Sequence, residues 1–265
     1  MESRATTIRG NLIAGLRTVG LDHYAGQIFG EAIHVGAVNA NTDLTVIQGN
    51  TIGLAADGVT PIVTRSGITV APMTSNHHAY GTLIASNHIA SVETRGVFVA
   101  SLENGVTITG NSIHDCGALG IDLGTSVGAD GPTPNDPGDG DTGGNGLQNF
   151  PVLLSATTTG SAVSVRGTLD SSPSDQFTIE FFASPSCDPS GFGEGAAFVG
   201  STLATTDGAG HGTFSLTLPA AVAVGAVVTA TATRLSTDDT SEFSACIAVT
   251  SGARRRSSRT AFATN

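Results

Sequence analysis

The sequence predicts an all-β chain in two parts: a right-handed parallel β-helix of about four coils, then a C-terminal β-sandwich of immunoglobulin-like type. Three observations carry that expectation. The motif Ile-x-(Gly/Ser)-Asn-x-Ile occurs four times, centred on Asn11, Asn50, Asn87 and Asn111. Short β-branched runs separated by turn residues fill the chain after Pro151. Between the two lies a stretch dense in Asp, Gly and Pro, from Asp122 to Asp141.

Each motif copy sets an apolar residue, a small residue, an Asn and a second apolar residue in line. Gly or Ser beside Asn is turn chemistry, because Gly and Asn tolerate the left-handed backbone region. The flanking Ile, Val and Thr favour strand. A unit this small cannot bury its own apolar face, so the copies must stack. In register, Asn11, Asn50, Asn87 and Asn111 would form a structural ladder of amide hydrogen bonds. The Asn residues are 39, 37 and 24 apart. The last interval fits one plain coil, and the first two fit a coil plus an insertion. Both insertions, Leu16–Gly30 and Leu54–Gly67, follow the second Ile directly, which puts them on one side of the stack. Such a side is often the binding face. The repeat begins at Ile8 with no apolar leader before it, so the helix is expected to be N-terminally truncated.

After Pro151, strands are expected at Pro151–Thr158, Ala162–Leu169, Phe177–Ala183, Ala197–Leu203, Gly212–Leu218, Val227–Thr233 and Ala245–Val249. About seven strands in about 100 residues is sandwich spacing. The alternation Phe177-Thr178-Ile179-Glu180-Phe181 marks one buried face and makes Glu180 solvent-facing. The domain expectation is therefore a helix over 1–128, an acidic junction over 129–150, a sandwich over 151–250 and an Arg-rich disordered tail over 251–265.

Asn50-Thr51-Ile52-Gly53-Leu54-Ala55-Ala56-Asp57-Gly58, followed by Gly67-Ile68-Thr69-Val70, resembles the repeat of bacterial secreted right-handed β-helix proteins of pectate-lyase-like fold. Gly120-Ile121-Asp122-Leu123-Gly124 and the run from Asn135 to Pro151 resemble the end of such helices. Glu180-Phe181-Phe182-Ala183, Gly191-Phe192-Gly193-Glu194-Gly195 and Ser241-Glu242-Phe243-Ser244-Ala245-Cys246 resemble the sandwich module that often follows them, as a spacer or attachment module. The resemblance implies export or display at the cell surface. It leaves activity open, because this fold hosts lyases, hydrolases, epimerases, adhesins and stalks.

Net charge of −11 and a pI near 4.8 argue against a nucleic-acid partner. No apolar run is long enough for a transmembrane segment. Arg254, Arg255, Arg256 and Arg259 form the basic run, read as a solvated tail. Cys187 and Cys246 both fall near strand ends of the sandwich, and an exported sandwich would join them in a disulfide. Cys116 reads as a small buried residue of a coil.

Candidate chemistry is sparse. Asp136, Asp139, Asp141 and Asn145 offer oxygen ligands at short intervals on a Gly- and Pro-rich loop, which suits a structural Ca2+. Tyr24, Asp57, Arg65 and Tyr80 lie in or near the insertions and are the candidate ligand-binding residues, for a polysaccharide or cell-surface glycan. The acids of the helix, among them Glu103, Asp115 and Asp122, recur at no shared coil position and read as solubilising. His77, His78, His88 and His114 read as loop histidines, because a metal would need them to converge. The expected function is a structural or adhesive module that binds carbohydrate on the insertion side. The alternatives are a polysaccharide lyase or hydrolase missing part of its catalytic coils, and an inert stalk. No residue is assigned a catalytic role.

Overall fold

A computed structural model of the protein describes residues 6–16, 30–36, 42–72, 79–124 and 131–252. Among the described residues the regular secondary structure is nearly all strand. In its first round, β1 (Thr7–Arg9), β2 (Leu12–Ile13) and β3 (Glu31–Val35) run in succession. A short β4 (Thr42–Asp43) precedes the second round of β5 (Val46–Gln48), β6 (Thr51–Ile52) and β7 (Ser66–Val70). After β8 (Ala79–Tyr80), the third round is β9 (Leu83–Ala85), β10 (His88–Val92) and β11 (Val97–Val99). The fourth is β12 (Thr107–Thr109), β13 (Ser112–Cys116) and β14 (Ile121–Leu123). Each round gives one strand to each of three four-stranded parallel sheets, ordered β1-β5-β9-β12, β2-β6-β10-β13 and β3-β7-β11-β14.

Register explains why the motif keeps its Ile residues. Ile8, Ile47, Ile84 and Ile108 are direct partners in the first sheet. Ile13, Ile52, Ile89 and Ile113 are partners in the second. Ile33, Ile68, Val97 and Ile121 continue the pattern in the third. These side chains form one apolar cluster, and Ile47, Ile52, Ile84, Ile89 and Ile113 are fully buried within it. Each such burial stabilises by about 1.5–3 kcal/mol. The turn glycines follow from the same packing. Gly53 has φ +79°, and a Cβ there would lie 1.8 Å from the Ala90 carbonyl oxygen.

A 3₁₀ turn at Gly144–Leu147 leads into seven further strands: β15 (Val152–Thr158), β16 (Val163–Asp170), β17 (Gln176–Ser184), β18 (Ala197–Thr205), β19 (His211–Leu218), β20 (Val227–Arg234) and β21 (Ile247–Ser251). They form at all seven places named from the sequence. Their order is β18-β17-β20-β21-β15-β16-β19, with one parallel pair, β15 and β21. A second apolar cluster centres on Val163, Val165, Phe177, Ile179 and Phe181. Phe182 and Phe243 belong instead to the first cluster, edge to face at 5.3 Å.

The last round is met by carboxylates from this second part. Parallel sheets end on unpaired backbone donors, which must be satisfied. Glu180 on β17 accepts from Thr109 Oγ1 at 2.6 Å and Gly110 N at 2.9 Å. Glu194 accepts from the amides of Asp115 and Cys116 at 2.8 and 2.7 Å. Glu242 accepts from those of Leu123 and Thr133 at 3.0 and 2.9 Å. Ile113 and Gly195 exchange backbone hydrogen bonds, and Thr240 Oγ1 accepts from Ile108 N. Each parallel sheet thus receives one glutamate. Glu180 is buried, not solvent-facing, because the surface on its side of β17 lies against β12.

Candidate functional site

The acidic junction folds back on itself through two asparagines. Asn135 exchanges side-chain hydrogen bonds with the Phe150 backbone at 2.8 and 3.0 Å. Asn149 does the same with Asp136, and its Nδ2 also donates to the Asp170 carbonyl. Asp139 takes the left-handed φ of +58° and is held from both sides. Its Oδ1 accepts from Asn149 N at 2.8 Å, and its Oδ2 accepts from Ser171 Oγ at 2.7 Å.

That bracing brings Asp136, Asp139 and Asp141 together, with one carboxylate oxygen of each inside a 4.8 Å span. Asp136 Oδ2 accepts from Gly140 N, whereas Asp136 Oδ1 and Asp141 Oδ1 are buried without a hydrogen-bond partner. Burial, aided by the neighbouring Asp136 and Asp141 charges, pushes the Asp139 carboxyl up to about 6 against its own two hydrogen bonds. Burial and Asp136 also push Asp141 up. Three clustered carboxylates, two of them with a spare buried oxygen, suit a hard cation.

Asn145 is a correction to the ligand set. It is buried at the end of the parallel stack, where its Oδ1 accepts from Val106 N and its Nδ2 donates to the carbonyls of Val106 and Thr240. Its amide completes a backbone edge instead of facing the carboxylates.

The four repeat asparagines form a continuous ladder. Asn11 N and Nδ2 donate to Asn50 Oδ1 at 2.9 and 3.0 Å. Asn50 repeats both bonds to Asn87, and Asn87 repeats them to Asn111, all at 2.8–2.9 Å. Asn50, Asn87 and Asn111 also donate to the carbonyls of Ile8, Ile47 and Ile84. Cys187 and Cys246 are joined in a disulfide. Cys116 is a free, buried thiol pushed well up by burial and by Glu194, so no thiolate nucleophile resides there.

The insertion residues are only partly brought together. The described ends of both insertions meet at one corner, where Gly15 N donates to the Ile62 carbonyl and Arg65 N donates to that of Leu16. Asp57 is exposed there and is held near 2 by hydrogen bonds from Thr60 and Val59. Tyr80 belongs elsewhere: its strand β8 lies in the connection from β7 to β9, at a different corner of the round. Tyr24 falls outside the described residues. Glu103 and Asp122 are buried, so they are not solubilising. Glu103 Oε2 accepts from Ala79 N at 2.7 Å, and Asp122 meets Arg95 at 3.4 Å.

One pair was not expected to converge. His88 and His114 stand on β10 and β13, with Nε2 atoms 2.9 Å apart, and His114 Nδ1 lies 2.7 Å from Asp115 Oδ2. Burial and the neighbouring His114 push the His88 imidazole below its ordinary value. The signal was the shared motif frame: His88 follows its Asn by one residue and His114 by three, so parallel pairing sets them diagonally.

Comparison with protein-family models and with curated proteins finds no match to this chain.

Proposed function

We propose that this chain is a structural and adhesive module of an exported or cell-surface protein. Residues 1–128 form a right-handed parallel β-helix, 129–150 an acidic junction, and 151–250 an immunoglobulin-like sandwich that closes the helix end. The right-handed sense is that of nearly all parallel β crossovers. The observation that carries the reading is the interlock of the last round. One glutamate per sheet, from Glu180, Glu194 and Glu242, takes the amides that a further coil would have used. A stack braced by an amide ladder and closed in this way is suited to presenting a surface rigidly.

Carbohydrate is the ligand class we assign to the insertion corner. Leu16, Val59 and Ile62 are exposed there beside Asp57, a mixture of apolar and charged groups that fits the two characters of a sugar ring. For the junction we propose a structural Ca2+ held by Asp136, Asp139 and Asp141, because it would fill the spare buried oxygens and favour ionised Asp139.

A glycan array probed with the intact chain tests the adhesive reading. Binding weakened by Asp57→Ala or Ile62→Ala supports it, and an array without bound sugars leaves the stalk reading in its place. Incubation with polygalacturonate or alginate tests the enzyme reading through the absorbance of unsaturated uronides.

A further inference from the structure

We propose that His88 and His114 form a transition-metal site, best fitted to Cu2+, with Asp115 as the outer carboxylate that orients His114. The two residues are neighbours across β10 and β13. His88 is paired with Ser112 and Ala90 with His114, so the imidazoles lie diagonally on one outer face of the second sheet. Their Nε2 atoms are 2.9 Å apart, with ring centroids at 5.1 Å and planes inclined by 43°. Asp115 Oδ2 is 2.7 Å from His114 Nδ1. A carboxylate only accepts, so Nδ1 carries a proton, and in the neutral ring His114 Nε2 presents a lone pair. A carboxylate behind a histidine is the usual support of a metal-binding imidazole.

Without metal, His88 donates its Nε2 proton to that lone pair. On loading, the His88 proton moves to Nδ1 through solvent, both Nε2 lone pairs become ligands, and no net proton is released. The rings now stand almost head to head, so binding tilts each toward a shared apex. With metal–imidazole bonds of about 2.0–2.1 Å, a 2.9 Å separation of the nitrogens subtends about 90° at the ion. That is close to the angle of cis ligands in a tetragonal field, as Cu2+ and Ni2+ prefer. Among these ions Cu2+ binds nitrogen most tightly.

Nearby oxygens are already committed. Ser112 Oγ donates to the Ala196 carbonyl, and Glu194 accepts from the amides of Asp115 and Cys116. Water therefore fills the remaining positions, which the half-exposed rings permit. The site differs from the acidic junction in its donors, nitrogen against oxygen, and in its place in the fold.

The test is titration of the intact protein with Cu2+ by calorimetry and electron paramagnetic resonance. The expected result is one saturable equivalent whose spectrum shows coupling to two imidazole nitrogens. His88→Gln and His114→Gln should each weaken binding at least tenfold at unchanged Tm, and Asp115→Asn should weaken it about 10–100-fold. His211→Gln, which alters an exposed histidine on β19, should leave affinity unchanged. Absence of a saturable site overturns the proposal. So does a His88→Gln variant that keeps wild-type affinity and the two-nitrogen spectrum, leaving the pair a simple N–H···N contact.

Discussion

Replacing Asn87 by Ala removes an acceptor used twice by Asn50 and a donor used by the Ile47 carbonyl and Asn111, all in the buried interior. Each orphaned buried group costs about 1–3 kcal/mol, so Asn87→Ala should lose at least about 3 kcal/mol in urea unfolding. Asn11→Ala, at the exposed end of the same ladder, should lose under about 1 kcal/mol. Equal losses would sink the ladder as a stabilising device. The junction gives a pH prediction. Asp139 rises from the ordinary 3.8 to about 6 on folding, so the folded state holds its proton more tightly than the unfolded state. Its contribution to stability is therefore greatest below about pH 4 and falls as pH rises through 6. Saturating Ca2+ should reverse that slope, raising Tm at pH 7 and releasing a proton near pH 5.5; a Tm equal in EDTA and in millimolar Ca2+ would remove calcium from the account. Residues that recur were legible in the sequence and residues that act once were not. Asn145 looked like a calcium ligand because its local run is Gly- and Asp-rich. Its real partners, Val106 and Thr240, are 39 and 95 residues away.

Elements were easier to read where their period was complete. Alternation along β17 correctly buries Phe177, Ile179 and Phe181. It also sets Glu180 on the opposite face, but a period of two says nothing about whether that face is covered. Here β12 covers it, and the carboxylate becomes an edge cap. The insertion corner shows the same division. Spacing alone put both insertions after the second Ile, on one side of the stack, and the backbone bonds from Gly15 and Arg65 tie their described ends together. The role of β8, which takes Tyr80 to another corner, depends on a connection that carries no motif. At this scale the Cys187–Cys246 bond staples two loops separated by 59 residues, one before β18 and one before β21. In the chain-entropy account such a loop is worth about 4 kcal/mol. The double variant Cys187→Ala/Cys246→Ala should lose an amount of that order in chemical denaturation. A loss confined to a few tenths of a kcal/mol would show that the neighbouring strands hold without it.

Across the whole molecule, two apolar clusters are joined by a seam of carboxylate-to-amide bonds, with Phe182 and Phe243 reaching from one part into the other. The repeat and the seven later strands were legible in the sequence, and the seam was not. The seam depends on Glu180, Glu194, Asp239 and Glu242 meeting amides about 70 to 134 positions earlier, and single acidic residues leave no periodic trace. The seven-stranded sheet β15–β21 therefore acts as the end of the parallel stack and not as a tethered neighbour. Native-state hydrogen exchange of the intact chain measures this most directly, at the amides of Gly110, Cys116 and Leu123. A closed end predicts that these edge amides exchange as slowly as those of Ile84 and Ile89 in the interior round, and that Glu180→Ala, Glu194→Ala or Glu242→Ala speeds exchange at its own partner. Fast exchange along the whole β12–β14 edge in the unaltered protein, with β15–β21 still protected, would contradict it.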